Sequence, residues 1–325
     1  RTRRRSGSTP RTSAGGEASY TRGVKRAELL PDIPTEVEHW LRAVFAECNA
    51  RITAKLSLNP NAPEQTFDLT WIEALSHHSA PRSFGSGWTV RIESHYLGGM
   101  RHYGLWEIAD IGLLVFVRRR SGSQGNKVGL LQSKRLYPTS GSVGEETLSD
   151  YAIGFARLAD PESFAFPLGA VTEFRFDDTS RYGALSAGSE QTKAIAAYGR
   201  EHGVPTFYQF YNPWTLPFTQ RVPIQGDIPR DGAPGLGVRI VPARDVHTVL
   251  DSQPTNHHPS IQELRTSCVG EDGFGWRLEE FICDYFLGCR EGALFSDINQ
   301  PSISNLFYRR SGPIAAAIAI TIEAP

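Results

Sequence analysis

The period with which apolar residues recur changes along this chain, and each change predicts an element. In PTEVEHWLRAVFAECNARI, Val37, Leu41, Val44 and Cys48 recur at helical spacing, and Trp40 and Phe45 widen the stripe. Thr35 reads as the N-cap of this helix, and Glu38 completes a Thr-x-x-Glu capping box. Residues 50–87 give a mixed signal: LSLNPNAPEQ, FDLTWIEAL and HHSAPRSFGSG follow one another without a sustained period. Trp88–Leu97 alternates as a strand and ends at Gly98-Gly99. Two apolar, β-branched runs, Ile108–Val117 and Val128–Leu136, then flank SGSQGN, whose Ser, Gly and Asn favour a turn. Together they predict a β-hairpin, and with the preceding strand an antiparallel meander.

Past Pro138 a Gly/Ser loop leads to a helix expected over Leu148–Leu158, and TEFRF (Thr172–Phe176) reads as a short strand. Ser189–His202 predicts a helix with Ser189 as its cap and Gly203 just past its end. The aromatic strand VPTFYQFYNPW follows and stops at Asn-Pro. After the Pro/Gly-rich region 213–235 come a strand at Gly237–Val241 and a helix over Trp276–Arg290. That helix should set Leu278, Ile282, Tyr285 and Cys289 on one face, with Gly292 as its C-cap. Ile314–Ile322 is too short to span a membrane and reads as a buried strand. The predicted class is therefore α/β with a mixed sheet: an α-β-β-β-α-β core over 31–215 and a C-terminal α+β extension over 216–325.

Composition adjusts this picture in three places. At 325 residues, with 40% hydrophobic and 21% charged, most of the chain should fold. The net charge of −1 is uneven, because residues 1–26 carry a strong excess of Lys and Arg over the single acid Glu17. This basic leader, 1–30, has no apolar periodicity and is expected to be disordered; it is either a solvated tail or a non-specific phosphate contact. The 4 cysteines, Cys48, Cys268, Cys283 and Cys289, form no CxxC pair. Free thiols in a reducing cytoplasm, and no membrane, are the expectation. The chain begins at Arg1 with Met100 as its single methionine, which leaves room for an upstream start and a targeting signal on it. Adjacent His77 and His78 lack metal-ligand spacing and read as loop residues.

Chemistry concentrates in the hairpin. Asp110 interrupts its first apolar run, and Gln132 and Lys134 interrupt the second two residues apart. Period-two alternation puts Gln132 and Lys134 on one face with Val128, Leu130 and Leu136, and Asp110 on a face with Ile108 and Leu114. Charged residues are seldom buried unless paired. If the strands present these three together, a carboxylate, an amide oxygen and an ammonium converge. Hard divalent cations choose such oxygens, and a neighbouring lysine can orient water or stabilise developing charge. A buried Asp110–Lys134 ion pair is the competing explanation.

The pattern EIADIGLLV, a turn, then LLQSKR resembles the PD-(D/E)xK, or restriction-endonuclease-like, nuclease superfamily, in the D…QxK form of its Mrr-like group. The resemblance implies that fold and an Mg²⁺- or Mn²⁺-dependent nuclease acting on DNA or, less often, RNA. Asp110 and Gln132 would be metal ligands and Lys134 the catalytic lysine. Glu38 on the first helix would be a further acid, with Glu107 a rival of the wrong strand parity unless a bulge intervenes. Gln132 in place of an acid implies weaker metal binding. By analogy the setting would be bacterial defence against phage or foreign DNA, beside a partner ATPase or helicase. The non-enzymatic alternative is a silent nuclease-fold module that binds nucleic acid or a partner protein. Residues 236–325 match no motif and could serve recognition, homo-oligomer formation or the core itself.

Overall fold

The computed structural model describes residues 33–97, 106–119, 124–140, 172–222, 234–266, 274–307 and 314–325, with 224 and 268 besides. The basic leader, the Gly98-Gly99 turn and the helix expected over Leu148–Leu158 lie outside them.

The first helix, α1, spans Thr35–Leu58 and buries Val37, Leu41, Val44, Phe45 and Cys48, as the stripe predicts. Its start differs from expectation. Pro34 holds the cap position and no side chain caps the helix, so Thr35 is already helical and the Thr35/Glu38 box does not form. The mixed region then yields a second helix, α2, Glu64–Ser76, which buries Phe67, Asp68, Trp71, Ala74 and Leu75.

The strands are β1 (Arg82–Ser83), β2 (Thr89–Tyr96), β3 (Ala109–Arg118), β4 (Gln124–Arg135), β5 (Thr172–Phe176), β6 (Thr206–Tyr211), β7 (Phe218–Val222), β8 (Arg239–Pro242), β9 (Trp276–Arg277), β10 (Ala293–Phe295) and β11 (Ile314–Glu323). Between them run α3 (Glu190–His202), α4 (Ala243–Asp251), α5 (Ile261–Arg265) and α7 (Pro301–Phe307). A single helical turn, Leu278–Glu280, passes into a π-helix, Phe281–Leu287; together they are α6. Among the described residues one 9-stranded sheet runs β1-β2-β11-β3-β4-β6-β8-β9, with β10 on β4, while β5 and β7 pair separately.

Two sequence expectations change here. The antiparallel meander is broken because β11 inserts between β2 and β3, antiparallel to the first and parallel to the second. Its run of Ile and Ala is apolar on both faces, which suits a strand covered on both sides. Residues 216–325, expected as an extension or as part of the core itself, contribute β8, β9, β10 and β11 to the main sheet. The hairpin strands pair as expected, but Gln124, Gly125 and Asn126 of SGSQGN are strand residues paired with Arg118, Val117 and Phe116.

The 276–290 helix also differs from its prediction. In a π-helix each hydrogen bond spans one residue more than in an α-helix. Phe281, Ile282, Phe286 and Leu287 therefore turn inward, and Gly288 rather than Gly292 takes the C-cap. Ser189 does cap α3, accepting the Thr192 N–H, and Gly203 ends it at φ 66°.

Helices cover both faces of the sheet. Ile111, Leu113, Val115, Leu131 and Tyr211 pack towards α1, α2 and α6. Leu114, Val128, Leu130, Tyr208 and Phe210 pack towards α3, α4 and α5. All 4 cysteines are free, and no described helix is long and apolar enough to cross a membrane.

Candidate active site

The site is built where β4 overhangs β3. The antiparallel ladder pairs Ile111 with Leu131, so Asp110 falls opposite Gln132 on a shared face. Beyond that point β4 keeps a strand partner on one side only, the parallel β6. Its N–H groups at 133 and 135 turn towards the open side, and buried N–H groups must find acceptors. Side-chain carboxylates supply them. Asp110 Oδ2 accepts the Ser133 N–H at 2.6 Å, and Glu64 Oε2 accepts the Arg135 N–H at 2.9 Å. Gln132 Nε2 donates to the same Asp110 oxygen at 2.7 Å. Lys134 Nζ lies 3.4 Å from Glu64 Oε1. The Arg135 guanidinium is turned away, donating to the carbonyls of Pro60 and Ala62 between α1 and α2.

Asp110, Gln132 and Lys134 are thus brought together. Gln132 and Lys134 are 2% and 3% exposed, deep enough that their polar atoms need partners. Glu38 is not part of the group: its carboxylate pairs with Arg42 at 2.9 Å, and Arg42 also grips Asp284. The helix acid at Lys134 is Glu64, the first residue of α2. Its sequence signal existed in Phe67, Trp71 and Leu75 at four-residue spacing behind Pro63, but Asn and Pro upstream made the stretch read as irregular. Glu107 joins too. It lies just before β3, outside the ladder, so strand parity does not govern it.

The electrostatics follow from crowding carboxylates around one ammonium. Burial, with the charges of Asp110 and Glu64 beside it, pushes the Glu107 carboxyl up to about 8, with Lys134 pulling the other way. Burial likewise raises Asp110 to about 6 against the pull of Lys134. Burial works against the Lys134 ammonium, but Glu64, Asp110 and Glu107 outweigh it and hold its pKa above the usual value. Lys134 is therefore a cation at neutral pH, suited to donating to an anion rather than taking a proton from water.

Negative charge exceeds positive in this group, and Gln132 Oε1 is buried with no hydrogen-bond partner among the described residues. Both features fit a divalent cation with oxygen ligands. As placed, no three Asp, Glu, His or Cys side chains among the described residues form a cation-holding group. The ligands offered are Asp110 and the Gln132 amide oxygen, with Glu64 and Glu107 as nearby acids. No family model matches the chain, and comparisons with curated proteins and with solved structures return no match.

Proposed function

We propose that this protein is a metal-dependent nuclease that hydrolyses phosphodiester bonds of DNA, with a restriction-endonuclease-like core formed by α1, β2, β3, β4, α3 and β6. The observation that carries the reading is the buried, partnerless Gln132 Oε1 beside Asp110 in a cluster with surplus carboxylates and one lysine. The parallel pairing of β4 with β6 after α3 supports it as well.

Asp110 and Gln132 would hold Mg²⁺ or Mn²⁺. Bound there, the ion would neutralise the phosphate and lower the pKa of a water molecule. Lys134 presents its ammonium to the phosphate oxygens, where charge grows as water's oxygen bonds to phosphorus and the ester oxygen leaves. Glu107, whose carboxyl is pushed up to about 8, would take the water's proton once it is ionised above that pH. Glu64 orients Lys134 and secures the edge of β4. By resemblance alone, the cellular setting would be bacterial defence against foreign DNA in the company of an ATPase or helicase.

One observation favours a second reading, a silent module that binds nucleic acid or protein. Asp110 and Glu64 already satisfy backbone N–H groups of β4, which is a structural role in itself. Incubating plasmid, linear DNA and RNA with Mg²⁺ or Mn²⁺ separates the two. Cleavage that disappears in Asp110→Ala and Lys134→Ala supports the nuclease. Activity untouched by both substitutions contradicts the site, and binding that survives both without divalent ions supports the module.

A further inference from the structure

On the opposite face of the sheet from Gln132 and Lys134, four polar side chains are buried as one cluster. Asp68 Oδ1, on α2, accepts the Ser133 hydroxyl at 2.5 Å and also the Tyr211 hydroxyl. Ser133 Oγ and Tyr211 Oη are 3.2 Å apart, and Gln209 Nε2 donates to Tyr211. Ser133 and Gln209 are 0% exposed and Asp68 is 8% exposed. Such a network adds little net stability over apolar residues of equal volume, but it holds one geometry.

What it holds is Ser133, the residue between Gln132 and Lys134. Side chains alternate along a strand, so tying Ser133 down on one face sets the direction of both neighbours on the other. It also sets the peptide plane whose N–H meets Asp110 Oδ2 at 2.6 Å. Asp68 stands one helical turn after Glu64, so the same tie fixes the placement of α2 on β4 that brings Glu64 to Lys134.

We infer that Asp68, Tyr211 and Gln209 are positioning residues for the candidate site, acting through Ser133 to hold Asp110, Gln132 and Lys134 in one arrangement from the far side of the sheet. The inference rests on the nuclease reading. Groups that orient ligands from behind are worth about 10–100-fold in affinity or activity.

The test uses the full chain, with kcat and KM measured on a labelled DNA duplex. Calorimetric titration with Mn²⁺ alone is run alongside, all below the unfolding midpoint of each variant. Ser133→Ala and Asp68→Ala are expected to lower kcat and weaken Mn²⁺ binding at least about tenfold while KM stays nearly constant. Asp68→Asn keeps an acceptor oxygen for both hydroxyls and is expected to restore most of what Asp68→Ala loses. Tyr211→Phe removes one hydroxyl and should show a smaller loss in the same quantities, which covers a failure of Asp68→Ala to fold. Variants that lose thermal stability but keep wild-type kcat and Mn²⁺ affinity overturn the inference and leave the nuclease standing. So does an Asp68→Asn variant as impaired as Asp68→Ala. A wild-type chain that neither binds Mn²⁺ nor cuts DNA overturns the nuclease reading, and this inference with it.

Discussion

Glu64 Oε1 lies 3.4 Å from Lys134 Nζ while its second oxygen holds the Arg135 N–H at 2.9 Å. One helical carboxylate thus secures both the lysine and the strand edge that carries it. Glu64→Gln is expected to cut the DNA cleavage rate by about 10–100-fold. Glu38→Gln, which disturbs only the Arg42 pair, should leave it near wild type. Equal effects of the two substitutions in the same cleavage assay would contradict the placement.

Lys134 is the cation that offsets the burial of Glu64, Asp110 and Glu107. Lys134→Met removes it and leaves buried acids uncompensated. Folding stability should fall by about 3–5 kcal/mol at alkaline pH. The loss should shrink in mild acid, where the Glu107 and Asp110 carboxyls take up protons. Urea unfolding at two pH values checks both the size and the trend.

The pH dependence of the metal-free protein has a definite sign. Glu107 moves from 4.5 in the unfolded chain up to about 8, and Asp110 from 3.8 up to about 6. Across those windows the folded state keeps protons that the unfolded state has released. Stability from these groups is therefore greatest below the unfolded values and declines as pH rises through the folded ones. Metal competes with the same protons, so Mn²⁺ affinity should rise over the same range. Thermal melts and Mn²⁺ titrations at pH values spanning about 5 to 9 test this; melting midpoints that rise with pH would refute the assignment.

Gly129 on β4 ties the sheet to the π-helix. A Cβ there would meet Phe286 Cε2 at 2.8 Å and Phe207 Cε2 at 3.3 Å. Gly129→Val should cost about 1–3 kcal/mol in urea unfolding through overpacking. Mn²⁺ affinity should change little, since the residue faces α6 rather than the acids.

Much of this was legible in the sequence, and the exceptions share a cause. Local periodicity announced α1, β2, the hairpin, α3 and β6, and it marked Asp110, Gln132 and Lys134 as polar intrusions in apolar strands. Long-range pairing was not legible. Nothing local says that Ile314–Glu323 slots between β2 and β3, because β-partners are chosen by three-dimensional packing. The helix acid was misplaced for a related reason. Glu38 fitted a local capping rule, whereas the value of Glu64 depends on an overhanging strand edge set by that register. Asp68 carries no local signal of its own, and its role came into view only with Ser133 and Tyr211 packed against it.

Asp110, Gln132 and Lys134 are proposed to form a metal centre and not merely a buried ion pair. The most direct measurement is anomalous scattering from a crystal of the protein soaked in Mn²⁺. One ion peak is expected within coordination distance of an Asp110 carboxylate oxygen and Gln132 Oε1, with the Lys134 ammonium nearby and Glu38 uninvolved. Saturating Mn²⁺ that leaves no peak there, with Gln132 Nε2 still on Asp110 and Lys134 still on Glu64, would contradict it.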